Sequence, residues 1–175
     1  MSNPLLLNSD LASITLTVPA SAVVAATAGA AGNNVAVVGL TIDRETLLPN
    51  GAAAPVLDSL PAGAMFDIWY ECALGAGDTI TLKAALLQDS TDGTTWATVY
   101  DQTGATGPVP PDWPSAGVVD TGRTGGSTQR GVLVFGTPIS RCRRYVRFGF
   151  TPSLSAASVD TGTFTVFGVL SGPQS

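Results

Sequence analysis

Residues Met65–Tyr100 constrain the fold of this chain more than any other stretch. Met65–Leu74 alternates, with Phe66, Ile68, Tyr70, Cys72 and Leu74 on one face and Asp67, Trp69 and Glu71 on the other. That is the period of a strand with one wet face. Gly75-Ala76-Gly77-Asp78 then joins it to Thr79–Leu87. There Ile80, Leu82, Ala84 and Leu86 oppose Thr79, Thr81, Lys83 and Ala85. A tighter turn, Asp89–Gly93, leads into a third strand, Thr94–Tyr100. Three antiparallel strands with matching apolar faces hold a sheet where a lone hairpin is marginal.

The same pattern extends in both directions. Leu11–Val18 alternates and is stopped by Pro19. Val23 and Val24 predict a short strand around Ala22–Ala26, and Val35–Ile42 reads as a strand covered on both faces. Gly131–Gly136, Arg143–Thr151 and Thr163–Leu170 complete the set. In Arg143–Thr151, Arg144, Val146, Phe148 and Phe150 oppose Arg143, Tyr145, Arg147 and Gly149. About eight strands, no convincing helix and turn signals between strands predict an all-β sandwich or barrel. There is no internal repeat to suggest a propeller or solenoid. Two long connections stand out, 43–64 with Pro49, Pro55 and Pro61, and 102–130 with four prolines around Trp113. Loops of that length are uncommon in compact domains. Trp113 either pins its loop to its own sheet or anchors a subunit interface. Residues 1–10 read as an N-terminal arm with an apolar Leu5-Leu6-Leu7 patch, 11–170 as a single sandwich domain, and 171–175 as a short polar tail. The leucine triplet either tucks onto its own domain or clasps a neighbour.

Charge argues for assembly and against most chemistry. Charged residues make up 12% of the 175, about half the usual share, and glycine, alanine, serine and threonine fill the gap. A surface largely covered by neighbours needs less charge than that of a soluble monomer. The net charge of −5 gives no bulk attraction to nucleic acid or to an anionic membrane. Up to residue 120 there are 12 acids and 2 bases; beyond it there are one acid, Asp160, and six arginines. Either these halves neutralise each other within one molecule, or they steer copies and partners together. The absence of histidine removes the commonest general base and the commonest metal ligand. Cys72 and Cys142 lack metal spacing and read as buried thiols, with a disulfide between adjacent strands left open. Met1-Ser2-Asn3-Pro4 lacks the basic start of a secretory leader, and no run is long enough to span a membrane; synthesis in a cytoplasm without export is expected.

The short motifs read as structure. Ser90-Thr91-Asp92-Gly93-Thr94-Thr95-Trp96 resembles the Asp-box turn of sialidase-type propellers, but it is one residue shorter before the glycine and occurs once. Physically it makes a hairpin turn in which Ser90 or Asp92 caps backbone amides and Trp96 packs back over the turn. Asp89, Asp92 and Asp101 lack the spacing of a calcium loop. Asp67 and Glu71 flank Trp69 on one strand face, which suits either sugar stacking or a wet, subunit-facing surface. No nucleophile elbow, phosphate loop or dinucleotide fingerprint is present. The arginines at 141, 143, 144 and 147 more readily meet acids on an adjacent strand or subunit than RNA.

Leu60–Ala64 leading into a strand, Thr79–Gly93, Arg143–Phe148 and the closing Gly162–Val166 strand together resemble the jelly-roll capsid cement (decoration) proteins of tailed bacteriophages. The resemblance implies an eight-stranded, jelly-roll-like antiparallel sandwich and a structural virion protein rather than an enzyme. Such a protein is made in the host cytoplasm and sits on the outer surface of the capsid. It implies the major capsid protein and further copies of itself, as a homotrimer, as partners, with no cofactor, nucleic acid or membrane. The candidate interface residues are Leu5, Leu6, Leu7, Trp69, Trp113, Arg123, Arg130, Arg143 and Arg147. A carbohydrate- or receptor-binding head spike and a tail tube or baseplate subunit are the alternatives.

Overall fold

The computed structural model describes residues 11–14, 24–27, 33–39, 41–45, 48–49, 63–155 and 160–171. The expected arm, with Leu5, Leu6 and Leu7, and the expected tail beyond Ser171 lie outside the described residues.

All regular structure among the described residues is strand, arranged as two antiparallel sheets packed as a sandwich. In chain order the strands are β1 (Leu11–Ile14), β2 (Val24–Thr27), β3 (Val37–Val38), β4 (Ile42–Asp43), β5 (Leu48–Pro49), β6 (Gly63–Leu74), β7 (Thr79–Ser90), β8 (Ala97–Asp101), β9 (Gly117–Thr121), β10 (Ser127–Pro138), β11 (Tyr145–Leu154) and β12 (Thr161–Ser171). The first sheet runs β10-β6-β12, with β1 and β2 sharing the far edge of β12. The second centres on β7 and β11. On its far side β7 pairs with β8 and β9; β11 pairs with β3 and β4, and β5 lies beyond β4.

The alternation read from the sequence is what fills the space between the sheets. Phe66, Ile68, Cys72 and Leu74 from β6, Val146, Phe148 and Phe150 from β11, and Phe164 and Val166 from β12 are all buried. Phe66 and Phe148 stack across the sheets with ring centroids 4.6 Å apart, and Phe150 meets Phe164 at 6.0 Å. Aromatic packing of this kind adds to the area term that drives the two layers together.

The structure departs from the expected pattern in four places. The face expected for Ala84 and Leu86 reverses: Ala85 and Leu87 point inward instead. Opposite Thr151 and Pro152, β7 presents Ala84 and Leu82, so Lys83 is an extra residue in the ladder. Pro152 has no N–H to give, and a bulge at that point lets both strands continue. For the same reason β11 runs past the expected end at Thr151 to Leu154. The connection 102–130 is not one loop: it contains β9, which pairs with the start of β7, and the first residues of β10. Val35–Ile42 splits into β3 and β4, two short contacts along the edge of β11.

Turns are closed by side chains. Ser90 Oγ accepts from the N–H groups of Asp92 (3.2 Å) and Gly93 (3.0 Å). Asp92 Oδ1 accepts from the N–H groups of Thr94 (2.8 Å) and Thr95 (2.7 Å). These bonds hold the Asp92 carboxyl far below its ordinary range. Gly93 has φ +73°, as this turn requires. Capping by Ser90 and Asp92 thus matches the expectation, whereas Trp96 lies under the Arg147 guanidinium, 4.1 Å from its ring centroid. At the opposite end Gly122 packs against the Gly75 carbonyl, where a Cβ would collide with the oxygen.

Candidate functional site

The outward face of the first sheet is the feature that the core does not explain. Its side chains follow from the register. Trp69 of β6 lies between Val132 of β10 and Thr165 of β12; Asp67 lies between Val134 and Phe167; Glu71 lies between Arg130 and Thr163. Each is the outward partner of an inward core residue, because successive strand residues alternate faces. The result is an apolar surface: Trp69 is 55% exposed, Val132 46%, Val134 42%, Met65 41% and Phe167 39%. Trp69 and Phe167 meet edge to face at 6.0 Å. Scattered apolar residues are ordinary on protein surfaces, but a contiguous group on one sheet face marks an interaction site.

Two polar features accompany this surface. Arg130 grips Glu71 with both arms of its guanidinium, Nε to Oε2 at 2.9 Å and an NH2 nitrogen to Oε1 at 3.1 Å. The Arg130 side chain holds the Glu71 carboxyl below its usual range. Beside this pair a shallow groove of about 460 Å³ is lined by Trp69, Glu71, Arg130, Val132, Thr163 and Thr165, among others. Asp67, in the middle of the apolar residues, has a buried Oδ1 with no hydrogen-bond partner. A buried carboxylate oxygen without a donor is costly.

The other expected interface residues are placed elsewhere. Trp113 is a correction: it is 5% exposed, and its indole N–H donates to the Gly136 carbonyl at 2.9 Å. Its ring packs edge to face on Phe135 (5.2 Å) and Phe148 (6.2 Å), so it closes the core from one side. Its loop is also held at the base by Asp101. That carboxylate accepts from the N–H groups of Ala105 (2.9 Å), Thr106 and Gly107 (2.9 Å) and from the hydroxyls of Thr103 and Thr106, each at 2.8 Å.

Arg143 meets Asp89 through its backbone N–H (2.8 Å) and its guanidinium (3.8 Å). Arg147 donates to Gln88 Oε1 at 2.9 Å on the outward face of the second sheet. Arg123 lies exposed in the turn before β10, its N–H bonded to Ser127 Oγ at 2.9 Å. Of the expected residues that are described, only Trp69 and Arg130 come together.

The uneven charge of the sequence resolves in part inside one molecule, through three of the six arginines beyond residue 120. Arg130 pairs with Glu71, Arg143 with Asp89, and Arg144 with Asp43 and Glu45. Sequence reasoning missed Met65, Val132, Val134 and Phe167 as surface residues. The signal was present in Val132-Leu133-Val134-Phe135, four apolar residues in a strand whose partner, β6, shows a wet face. It also missed Arg44, which is 1% exposed and donates to the carbonyls of Cys142 and Arg143 (3.2 Å for the second).

Reactive groups are set for stability. Both cysteines are free and buried, so the disulfide alternative falls. Burial, then the nearby carboxylates, pushes the Cys72 thiol up to about 12; burial pushes Cys142 up to about 11. Such thiols are poor nucleophiles. Burial, then Asp120, whose Oδ2 accepts from the Tyr70 hydroxyl at 3.2 Å, pushes Tyr70 up to about 12. Among the described residues no three His, Cys, Asp or Glu side chains converge as a metal site. The exposed apolar face around Trp69 offers a surface for binding. No protein-family model matches the chain, and no curated protein matches it in sequence.

Proposed function

We propose that this chain is a structural virion protein, a cement or decoration protein of a tailed-phage capsid, acting as a homotrimer on the outer surface of the head and bridging subunits of the major capsid protein. The observation that carries the reading is the exposed apolar face around Trp69 on a rigid sandwich. Such a face gains by being covered, and a seam burying on the order of 1,000 Å² gives specific attachment. Repetition over a lattice multiplies weak single contacts into avid binding. The strand order supports a jelly-roll reading, since β1-β12-β6-β10 and β4-β11-β7-β8 interleave early and late strands as two nested Greek keys do.

The test is co-sedimentation of purified protein with expanded, DNA-free phage heads. Saturable binding that Trp69→Ala or Val132→Asp weakens at least tenfold is the expected result. A folded protein with no affinity for heads from any stage of assembly overturns the reading.

A second reading has one specific observation in its favour. The groove beside Trp69 sets an exposed indole next to the Glu71–Arg130 pair and two threonine hydroxyls, the combination that stacks and hydrogen-bonds a saccharide. A glycan array decides it: no ligand on the array removes the reading.

A further inference from the structure

The apolar face continues to the rim of its sheet, and that rim is open. β10 pairs with β6 along twelve residues, and among the described residues no strand pairs with its other side. Its direction can be read from one hydrogen bond. The Gly136 carbonyl accepts the Trp113 indole N–H, so it turns away from β6. Backbone groups alternate sides along a strand. The N–H and C=O groups of Val134, Val132, Arg130 and Thr128 therefore turn outward with those of Gly136. Their side chains are also the exposed ones, on the same face as Trp69.

Edge strands of natural proteins are normally blunted by lysine, proline, a bulge or a covering segment. Gly136 is covered by Trp113. Between Thr128 and Val134 the segment is Thr-Gln-Arg-Gly-Val-Leu-Val, without lysine, proline or acid, and among the described residues no strand covers it. The ladder from Ser127 to Pro138 is regular, with no bulge. The single charge, Arg130, is already matched by Glu71.

We infer that this edge is an interface between two copies of this chain, joined by antiparallel β10–β10 pairing about a two-fold axis at Gly131. A second copy is the occupant because the row meets its own reverse in register, each outward N–H opposite an outward C=O. Turned about Gly131, Thr128 faces Val134 of the second copy and Arg130 faces Val132. The four outward residues thus satisfy one another and leave out Gly136, which is already bonded. A two-fold contact uses the same patch twice and closes on itself, so it ends at a pair and does not grow into a fibre. The two apolar faces then join into one, with each Arg130 brought beside Val132 of its mate and within cation–π range of that copy's Trp69. The pairing does not rest on the capsid reading and competes with the homotrimer in it: in purified protein without heads, a three-fold native mass would favour the trimer and overturn the pair.

The experiment is native mass by sedimentation over a concentration series, on wild type and on Val132→Pro. The Val132 N–H points outward, so proline there removes an intermolecular donor and spares every bond to β6. The expected result is that Val132→Pro halves the native mass, with an unchanged circular dichroism spectrum. Val132→Lys, which keeps the N–H and adds an edge charge, does the same if the proline variant fails to fold. The doubly substituted Thr128→Cys/Val134→Cys protein oxidises to a covalent dimer, whereas Thr128→Cys alone does not, because its symmetry mate lies several residues away along the ladder. Wild type monomeric up to about 1 mM, where even about 4 kcal/mol would form pairs, overturns the inference. So does a native mass that Val132→Pro leaves unchanged. A fall to one third means pairing with a different strand and overturns the two-fold arrangement.

Discussion

The two outward faces of this sandwich are finished differently. On the second sheet, Arg147 donates to Gln88 and covers the ring of Trp96. The indole there is sealed by a cation and the cation by an amide. On the first sheet, Trp69 stands 55% exposed among valines and Phe167, with an Asp67 oxygen left unpartnered in their midst. Both faces belong to strands with equally complete cores beneath them. The open face is therefore not a consequence of poor packing. It is a surface whose chemistry suits contact with another molecule better than contact with water; on the second sheet Val118 of β9 is 62% exposed, but the exposed large hydrophobics described there include no aromatic, so that face supplies the comparison.

The two tryptophans outside that face give the largest expected contrast. Trp113→Ala empties a site packed against Phe135, Phe148 and Tyr100 and leaves the Gly136 carbonyl without its donor. A loss of about 3–5 kcal/mol in urea unfolding is expected. Trp69→Ala removes a side chain that is 55% exposed and meets Phe167 edge to face, and is expected to cost about 1 kcal/mol or less. Equal losses at the two sites would mean that the Trp69 face is internal to the folded unit, and the contrast between faces would collapse.

Next comes the loop that carries Trp113, through its anchor, Asp101. Burial alone would raise the Asp101 carboxyl; the Thr106 N–H and hydroxyl, the Thr103 hydroxyl and the Ala105 N–H outweigh that and hold it well below the usual carboxylate range. A depressed folded-state value gives stability that is fully present above the unfolded value of about 3.9 and lost as pH falls toward the folded one. Asp101→Ala is expected to cost about 2 kcal/mol near neutrality. It is also expected to lose part of the acid dependence of the unfolding midpoint below about pH 4. A variant with an unchanged acid limb would show that the loop is held by Trp113 alone.

How much of the fold is legible in the sequence depends on which interactions are local. The alternation in β6 places Phe66, Ile68 and Cys72 inside and Trp69 outside, because a strand's two faces are written every second residue. The same logic fails after Lys83, where a bulge set by Pro152, a residue 69 positions later, reverses the faces. Trp113 is ambiguous for a related reason. Four prolines mark a stiff loop, but only the sheet that the loop folds onto determines whether its tryptophan is covered. The arginine-rich end is legible as charge and not as pairing. Asp43 and Arg144 lie 101 residues apart, and nothing in either neighbourhood names the other. The open face is half visible: the wet side of β6 can be read, but its continuation into Val132, Val134 and Phe167 requires the register.

The smallest effect separates two ion pairs of the same geometry. Arg130 and Glu71 are bonded through both guanidinium arms, as are Arg144 and Asp43, the latter at 3.0 and 2.6 Å. The difference is solvent. The Arg130 and Glu71 side chains are 71% and 52% exposed, whereas that of Asp43 is 7% exposed. Water and salt screen the first pair, and exposed pairs contribute little. Removing Arg144 instead strands a nearly buried carboxylate that its hydrogen bonds hold below the usual range. In dilute protein, Arg130→Ala is therefore expected to leave the unfolding midpoint unchanged at low and high salt. Arg144→Ala is expected to lower it near neutrality and to flatten its fall at acid pH, since Asp43 then titrates nearer its unfolded value. Should Arg130→Ala lower the midpoint as far as Arg144→Ala does, with a dependence on protein concentration, the pair is already enclosed. The enclosing molecule is then a second copy, since dilute purified protein contains no other. The open face would in that case be open only in the single chain.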